Sequence, residues 1–453
     1  MQQRSSRRLS GVQDAWINQS PRKKQQESQP VLNRMACFCL RYLILAFMAV
    51  VSCQNYIKSL FVRDKVVVNT AYKEEPILLL ALYEKSFLRP DIVNLLKVAK
   101  KLGLYTIAVN TQKLTDTELI EKKKLIDTYV GIFNFGRDFG SYKKGFNYIF
   151  NKGFHKHAPR IVMLNDSVFF ERSRLESFLK ELIHTKKDVL GATQNFEINY
   201  HIGSFCVSLA KSVTNHKRFV SYWRSFRRTD SRRVVIHRGE MGLSRVLSSI
   251  VSNPTSIDVI FNQQLVSRFL RDGRSEEKLN QWNSLLRTSS YVDWGCNNIN
   301  SLLNEFVETH NVIFQQKSKE YKDEYILRRE THTFNKAFTY IESLGDAKTL
   351  LMKYGDKDLY EVFLKFVAAK FIEQTRYGSQ IHQNNACFFY MGLPIIKLDS
   401  IYRGMMNDAD VYKFKPLMDV AEYELLESLL FQKPFGNNIY FGWKKIAFQM
   451  GLI

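Results

Sequence analysis

The run Ile77-Leu-Leu-Leu-Ala-Leu-Tyr83 decides the fold class, because seven consecutive residues carry no charge. A continuous apolar run of this length is typical of a strand that is covered on both faces of a sheet. Arg89-Pro90-Asp91 follows, and proline is favoured in the first turn of a helix. The next apolar residues recur at helical spacing and predict one stripe, made by Ile92, Leu95, Leu96 and Ala99.

The alternation of strand-like and helix-like segments continues to about residue 250. The predicted strands are 104–109, 127–134, 160–164, 188–193 and 201–209, and the predicted helices are 117–125, 142–150, 175–183 and 239–250. This spacing predicts an α/β fold with a mixed, mostly parallel sheet and helices on its faces. In such sheets ligands bind outside the carboxyl ends of the strands.

The pattern of the sequence changes after about residue 265. Helical segments dominate there, at 302–313, 346–354 and 359–371. A strand pattern returns only at 387–398. We predict four parts of the chain. They are a disordered basic tail at 1–34, a membrane-associated helix at 35–62, an α/β catalytic domain at 63–265 and a mostly helical accessory domain at 266–453.

The apolar segment 35–53 is long enough nearly to cross a bilayer, although Arg41 interrupts it. Three interpretations remain open: a spanning helix, a helix lying in the membrane interface, and a buried helix of a soluble protein. A cleaved signal peptide is not expected, because the apolar run begins too late. Basic residues lie on both sides of the segment, so its orientation stays open. We expect membrane association with a cytoplasmic catalytic domain, or a type II Golgi protein if the source is eukaryotic.

Composition restricts the partners. The formal net charge of +22 favours an anionic partner: nucleic acid, an acidic lipid surface or phosphate-bearing substrates. The six cysteines show no zinc-site or disulfide spacing, which favours a reducing compartment. No P-loop, zinc-finger or helix-turn-helix pattern is present, so nucleic acid is not an expected partner.

The first candidate motif spans 134–145, directly after a predicted strand. Gly136 permits a tight turn and close backbone approach, and the following helix start favours an anion. Arg137 suits a phosphate, and Asp138 suits a ribose or base. With Asn134 and Lys143 they form the predicted nucleotide site. An ordinary turn capped by Asp138 is the alternative.

The second motif, Asn165-Asp-Ser167, ends the predicted strand 160–164. Asp166 and Ser167 are the predicted ligands of a divalent cation, Mg²⁺ or Mn²⁺, that would bridge a diphosphate. The same residues suit a simple turn at the end of a strand, which is the alternative interpretation.

Two further motifs supply candidates for the acceptor side. His201 and Ser204, on the predicted strand 201–209, are predicted to bind an acceptor, although a lone histidine is more often structural. Glu240 is the candidate base for an attacking hydroxyl. Its alternative role is to complement a helix dipole.

These motifs, at 136–142, 162–167, 201–209 and 239–244, together resemble the rhamnan synthesis protein F family of polysaccharide glycosyltransferases. The segment 392–397, with Lys397, is similar to a late segment of that family. The layout is also similar to inverting GT-A transferases. Two departures stand out: Asn165-Asp-Ser167 offers one carboxylate instead of two, and Glu240-Met241 replaces an acidic pair.

The resemblance implies a nucleotide-sugar donor and a polysaccharide or lipid-linked saccharide acceptor, in polysaccharide biosynthesis at the cell envelope. Asp166 with its cation, and Arg137 or Lys397, would stabilise the departing diphosphate. Asp138 would hold the nucleoside, and Glu240 would act as base in an inverting transfer. The alternatives are a non-catalytic basic scaffold and another nucleotide-dependent transferase. The donor sugar, the acceptor and the oligomeric state stay open.

Overall fold

The computed structural model describes residues 31–196, 199–272, 276–288, 298–309, 341, 343–354, 357–376 and 378–453. Residues 1–30, which form most of the predicted disordered tail, lie outside these ranges. The tail prediction was wrong at residues 31–34, because the first helix already begins at Val31.

The strands build an eight-stranded sheet with the spatial order β1-β4-β3-β2-β5-β10-β7-β11 and two small two-stranded sheets, β6 with β12 and β8 with β9. Their bounds are β1 Lys65–Val68, β2 Ile77–Leu82, β3 Tyr105–Asn110, β4 Thr128–Gly131, β5 Arg160–Asn165, β6 Val168–Phe170, β7 Val189–Gly191, β8 Gln194–Asn195, β9 His201–Ile202, β10 Cys206–Ala210, β11 Ile257–Val259 and β12 Ile395–Lys397.

Four of the seven pairings in the large sheet are parallel: β2 with β3, β3 with β4, β2 with β5, and β7 with β11. The pairs of β1 with β4, and of β10 with β5 and β7, are antiparallel. The prediction of a mixed, mostly parallel α/β sheet is confirmed.

The predicted helices recur in the predicted order, with further helices between and after them, and residues 310–313 of the predicted helix 302–313 lie outside the described ranges. Their bounds are α1 Val31–Phe61, α2 Pro90–Lys101, α3 Asp116–Glu121, α4 Arg137–Lys152, α5 Arg172–His184, α6 Lys211–Thr214, α7 Lys217–Ser225, α8 Arg232–Val234, α9 Met241–Ile250, α10 Gln263–Asp272, α11 Glu276–Leu285, α12 Ile299–Thr309, α13 Leu344–Tyr354, α14 Lys357–Gln374, α15 Gln380–Gln383, α16 Asn385–Tyr390, α17 Asp408–Tyr412, α18 Val420–Phe431, α19 Gly436–Ile439 and α20 Gly442–Gln449.

Three predicted elements differ from the structure. The helix predicted at 142–150 begins at Arg137, because Gly136 already turns the chain into it. The strand predicted at 201–209 is split into β9 and β10, because the backbone N–H of Gly203 donates to Thr193 and the chain turns there. The strand predicted at 387–398 is mostly the helix α16, and only Ile395–Lys397 is extended.

The sheet separates two apolar layers, since successive side chains of a strand point to opposite faces. In β2, Ile77 and Leu79 pack with α4, while Leu78 and Leu80 pack with α2. The second layer continues without a break into the helical C-terminal region, for example to Phe388. The helical character of that region is confirmed, and the domain boundary at 265 stays a prediction.

Within the described ranges, α1 contains one stretch, Phe38–Phe61, that is long and apolar enough to cross a membrane by length and composition. Such a helix suits a membrane anchor or a signal sequence. Its mean hydropathy is 1.5. Most of its side chains are exposed.

Candidate active site at the carboxyl edge of the sheet

The turn after β4 brings the first predicted motif to the edge of the sheet. Gly136 has a φ of 99° and Arg137 a φ of 53°, so two successive residues are left-handed where α4 begins. A side chain on Gly140 would lie 2.5 Å from the carbonyl oxygen of Phe135, so only glycine fits there. The left-handed Arg137 carries backbone strain, which is found preferentially at functional sites.

Asp138 lies in the first turn of α4 and faces the end of β5. Its carboxylate accepts a hydrogen bond from Asn165 Nδ2 at 3.1 Å. Burial raises the pKa of Asp138, while the positive charges of Lys397 and Arg137 lower it. The negative charges of Glu240 and Asp399 raise it further, so all of these groups lie close enough to interact. The edge therefore holds a mixed cluster of acids and cations.

Lys397 reaches the cluster from the far end of the chain. The strand β12 pairs with β6, and this register places Lys397 opposite Val168. Its ammonium donates to Ser167 Oγ at 2.7 Å, and Ser167 Oγ donates to Asn165 Oδ1 at 2.5 Å. Asn165 in turn binds Asp138, so a chain of hydrogen bonds joins Asp138 to Lys397.

Glu240 ends a π-helical turn, Val235–Glu240, that connects α8 directly to α9. Because helical residues precede it, Glu240 does not lie at a free helix N-terminus. The alternative role, in which its charge complements a helix dipole, is therefore excluded. Its side chain is 28% exposed and lies 3.3 Å from His201 Nε2. Ser204 Oγ donates to it at 3.2 Å. Burial opposes its ionisation, but His201, Lys397 and Ser204 hold the pKa of Glu240 below its usual value.

The structure gives His201 and Ser204 a different place from the one predicted. Both are buried, and both contact the Glu240 carboxylate instead of an open acceptor surface. Ser204 is held by Tyr142, whose hydroxyl donates to the Ser204 carbonyl at 3.1 Å. These two residues fix the orientation of Glu240.

Asp166 also departs from its predicted position. It is 8% exposed, and its carboxylate accepts a hydrogen bond from the backbone N–H of Tyr83. It faces Glu84 and Arg89, and burial together with the Glu84 charge raises its pKa despite the nearby Arg89. Asp166 therefore belongs to a closed ionic network.

This arrangement does not suit a divalent cation held by Asp166 and Ser167. The Asp166 Oδ2 atom accepts a hydrogen bond from the backbone N–H of Tyr83, and Ser167 Oγ already accepts a hydrogen bond from the Lys397 ammonium. A second cation beside that ammonium would meet like-charge repulsion. Within the described ranges, no group of three or more His, Cys, Asp or Glu side chains is arranged to hold a metal.

The motifs at 136–142, 162–167, 201–209 and 239–244 therefore lie around one edge of the sheet, and all four fall within residues 106–267. Residues 106–267 match the family model of rhamnan synthesis protein F. The predicted resemblance is confirmed over that range. The match covers about a third of the chain.

The chain is also similar to a bacterial protein. The chain is 23% identical over 171 residues to the uncharacterized protein y4gN of Sinorhizobium fredii. The aligned segment covers 37% of this chain and 44% of that protein, so the chain spans less than half of its relative's length.

Two predicted residues of the family-matched segment do not join the cluster. The Lys143 ammonium donates to the carbonyl oxygens of Arg224 and Phe226, so it fastens the loop after α7. Burial and the charge of Arg228 lower its pKa. Asn134 is exposed at the start of the turn.

The structure adds residues beyond the family match that the sequence did not single out. Asp399 lies two residues after Lys397 and is 27% exposed. It accepts from His382 Nε2 at 3.1 Å and from Arg403 Nε at 2.6 Å. Although burial opposes ionisation, His382 and Arg403 hold the pKa of Asp399 well below its usual value. The i, i+4 spacing of Asp399 and Arg403 was a visible but common signal.

Proposed function

We propose that this chain is a glycosyltransferase with a GT-A-like catalytic domain, facing the cytoplasm. It moves a sugar from a nucleotide-sugar donor to a polysaccharide or lipid-linked saccharide acceptor with inversion. The observation that carries the proposal is the meeting of Arg137, Asp138, Lys397 and Glu240, from three separate parts of the chain, in one electrostatic cluster at the sheet edge.

Two cations serve the leaving group. Charge develops on the departing diphosphate, and preorganised positive groups stabilise it. The Lys397 ammonium is held by Ser167, and Arg137 is exposed at the start of α4, where its charge also acts on Asp138. Asp138 is placed to accept hydrogen bonds from the ribose or base. No step of the transfer uses a divalent cation, because the contacts of Asp166 and Ser167 do not suit its binding.

Glu240 serves the acceptor. Its lowered pKa keeps the carboxylate ionised near neutral pH, so it can accept a proton. It takes the proton of the acceptor hydroxyl as that oxygen attacks the anomeric carbon. The bond from that carbon to the diphosphate oxygen breaks, and its electron pair leaves with the diphosphate. His201 and Ser204 hold the carboxylate in position.

The test is a screen of the full-length protein against nucleotide sugars, with and without Mg²⁺ or Mn²⁺, measuring release of nucleoside diphosphate and transfer to added saccharides. We expect turnover with at least one donor and a loss of about 10²–10³-fold in Lys397→Met. Lys348→Met is the matched control, since Lys348 pairs with Glu276 in the C-terminal helices. No binding of any donor at millimolar concentration would favour a non-catalytic scaffold, and unchanged turnover in Lys397→Met would contradict the role given to Lys397.

A further inference from the structure

The helix α1 is attached to the rest of the protein along one face. Apart from the adjacent pair Ile44 and Leu45, its successive less exposed residues are three or four positions apart, which places them on a single side of a helix. They form what we call the seam: Arg41, Ile44, Leu45, Met48, Ser52, Asn55 and Ser59. From Arg41 to Ser59 the seam is about 27 Å long at 1.5 Å per residue.

The seam has apolar contacts at one end and polar contacts at the other. Ile44 packs with Ala447 and Leu452 beside α20. Further along, Asn55 Nδ2 donates to Asp230 Oδ2 at 2.9 Å.

Arg228 and Thr229 complete the polar end. Arg228 Nη2 donates to Ser59 Oγ at 2.9 Å, and Ser52 Oγ lies 3.2 Å from Thr229 Oγ1. Residues 228–230 therefore bind α1 by side-chain hydrogen bonds.

These contacts do not suit a helix that crosses a bilayer. The hydrocarbon core is about 30 Å thick, close to the length of the seam. A spanning α1 would have to break nearly all of the seam contacts, or draw the loop with Arg228 and Asp230 into hydrocarbon, where ionised groups are costly. The seam therefore favours a helix that lies alongside its own domain.

The opposite side of α1 is apolar and exposed. Leu43 is 68% exposed and Phe61 is 83% exposed, and Phe47, Val50 and Ile57 lie on the same side between them. The exposed aromatic rings of Phe441 and Trp443 extend this surface, with the Trp443 ring 5.1 Å from that of Phe47. We call these seven residues the apolar face. An exposed patch of this kind marks an interaction surface.

Positive charge borders the apolar face. Lys444 and Lys445 directly follow Trp443, and Lys58 and Arg63 lie at the end of α1; all four are exposed. Amphipathic helices with basic borders and aromatic residues bind anionic membrane surfaces in the plane of the interface.

We propose that α1 lies flat in an anionic lipid surface. The apolar face is buried at the boundary between headgroups and acyl chains, and the seam holds the α/β domain against that surface. This selects one of the three alternatives that the sequence left open.

The seam also connects the helix α1 to the turn at Gly136, which is part of the predicted binding site for the nucleotide-sugar donor. We call this turn the donor loop. Asp230 binds Asn55 through one carboxylate oxygen and the backbone N–H of Gly136 through the other, each at 2.9 Å. The donor loop is thus one side chain away from α1. If the proposed function holds, this places the transfer site beside the lipid surface, where a lipid-linked acceptor would be presented.

The depth of α1 in vesicles tests the proposal. Cys39 and Cys53 are exposed on the free side of the helix, and Cys206 and Cys387 are buried. In full-length chains with Cys37 and Cys296 replaced by serine, Cys39 or Cys53 is kept singly and labelled with a fluorophore. The labelled chains are bound to phosphatidylglycerol–phosphatidylcholine vesicles whose lipids carry quenchers at several depths. The quenching then gives the depth of each fluorophore in the bilayer.

An in-plane helix places both labels within a few ångströms of the same depth. A spanning helix would separate them by about 20 Å along the bilayer normal, since they are 14 residues apart. That result, or labels fully exposed to water, would overturn the proposal. Neither outcome bears on turnover of nucleotide sugars, so the proposed function is tested separately.

Vesicle binding supplies a second test. Val50→Glu in the apolar face should weaken binding to the anionic vesicles by about tenfold, because it places a charge in apolar surroundings. Ile120→Glu is the matched control, because Ile120 is 65% exposed on α3 and outside the apolar face. Equal weakening by both variants, or equal binding of the unaltered chain to pure phosphatidylcholine vesicles, would contradict an anionic surface as the partner.

Discussion

Two acidic clusters flank the end of β5, and they differ in what surrounds them. Asp166 lies in a closed network with Glu84, Arg89 and Asp91, where Arg89 forms a double hydrogen bond to Asp91. On the other side, Asn165 points to Asp138 in the half-exposed cluster with Lys397 and Glu240.

The difference follows from where β5 ends. Asn165 is the last residue of the strand and Asp166 is the first residue of the turn that follows, so their side chains face different surroundings although they are neighbours in sequence. Burial then decides the role of each acid. The closed network stabilises the turn at the end of the strand, and the open cluster is available for chemistry.

The largest expected effect concerns the open cluster. Glu240→Gln keeps the shape of the side chain but removes the proton acceptor, so we expect kcat to fall by about 10²–10⁴-fold. The rate of sugar transfer measures this, with Glu276→Gln as the control at a distant ion pair. Transfer at the original rate in Glu240→Gln would show that another group is the base.

A smaller effect concerns the position and charge of that base. His201→Gln removes the imidazole that helps to hold the pKa of Glu240 down, so the pKa of Glu240 should rise. The acidic limb of the pH profile of kcat/KM should then move to higher pH, because the base stays protonated over a wider range. An unmoved limb with only lower activity would mean that His201 acts by packing alone.

The closed network predicts an effect on stability. The folded pKa of Asp166 is raised to about 7, so its stabilising contribution is complete below the unfolded value of about 3.9 and is lost as the pH rises through 7. Asp166→Asn imitates the protonated form and should escape this loss. Thermal unfolding should therefore show Asp166→Asn gaining in Tm over the unaltered protein between pH 5 and pH 8. A constant difference across that range would show that Asp166 is ionised throughout.

The smallest effect concerns the hydrogen bond between α1 and Asp230. Asn55→Ala removes the donor to Asp230 and should lower stability by about 1 kcal/mol, measured by urea unfolding. Gln54→Ala is the control, because Gln54 is exposed on the other side of α1. Equal effects of the two variants would mean that the seam contact contributes nothing.

Much of the sheet was predictable because its signal is local. The apolar run 77–83 and the stripe after Pro90 have one strong interpretation each, and the structure confirms both. The split of 201–209 at Gly203 was not predictable, because it depends on a hydrogen bond to Thr193 in another segment.

The candidate site was predictable in its motifs but not in its roles. Sequence reasoning named Arg137, Asp138, Glu240 and Lys397, and the structure brings them together. The sequence could not show that Asp166 lies in the interior. That position depends on the backbone N–H of Tyr83, which directly follows β2 in a distant part of the chain.

The most direct test compares two matched substitutions, Asp138→Asn and Asp166→Asn, on the two sides of the end of β5. Binding of the nucleotide-sugar donor and kcat/KM for transfer are measured for both full-length variants. We predict that Asp138→Asn weakens donor binding by about tenfold or more, since it removes a charged acceptor, while Asp166→Asn stays close to the unaltered protein. Loss of transfer in Asp166→Asn together with normal transfer in Asp138→Asn would contradict the account.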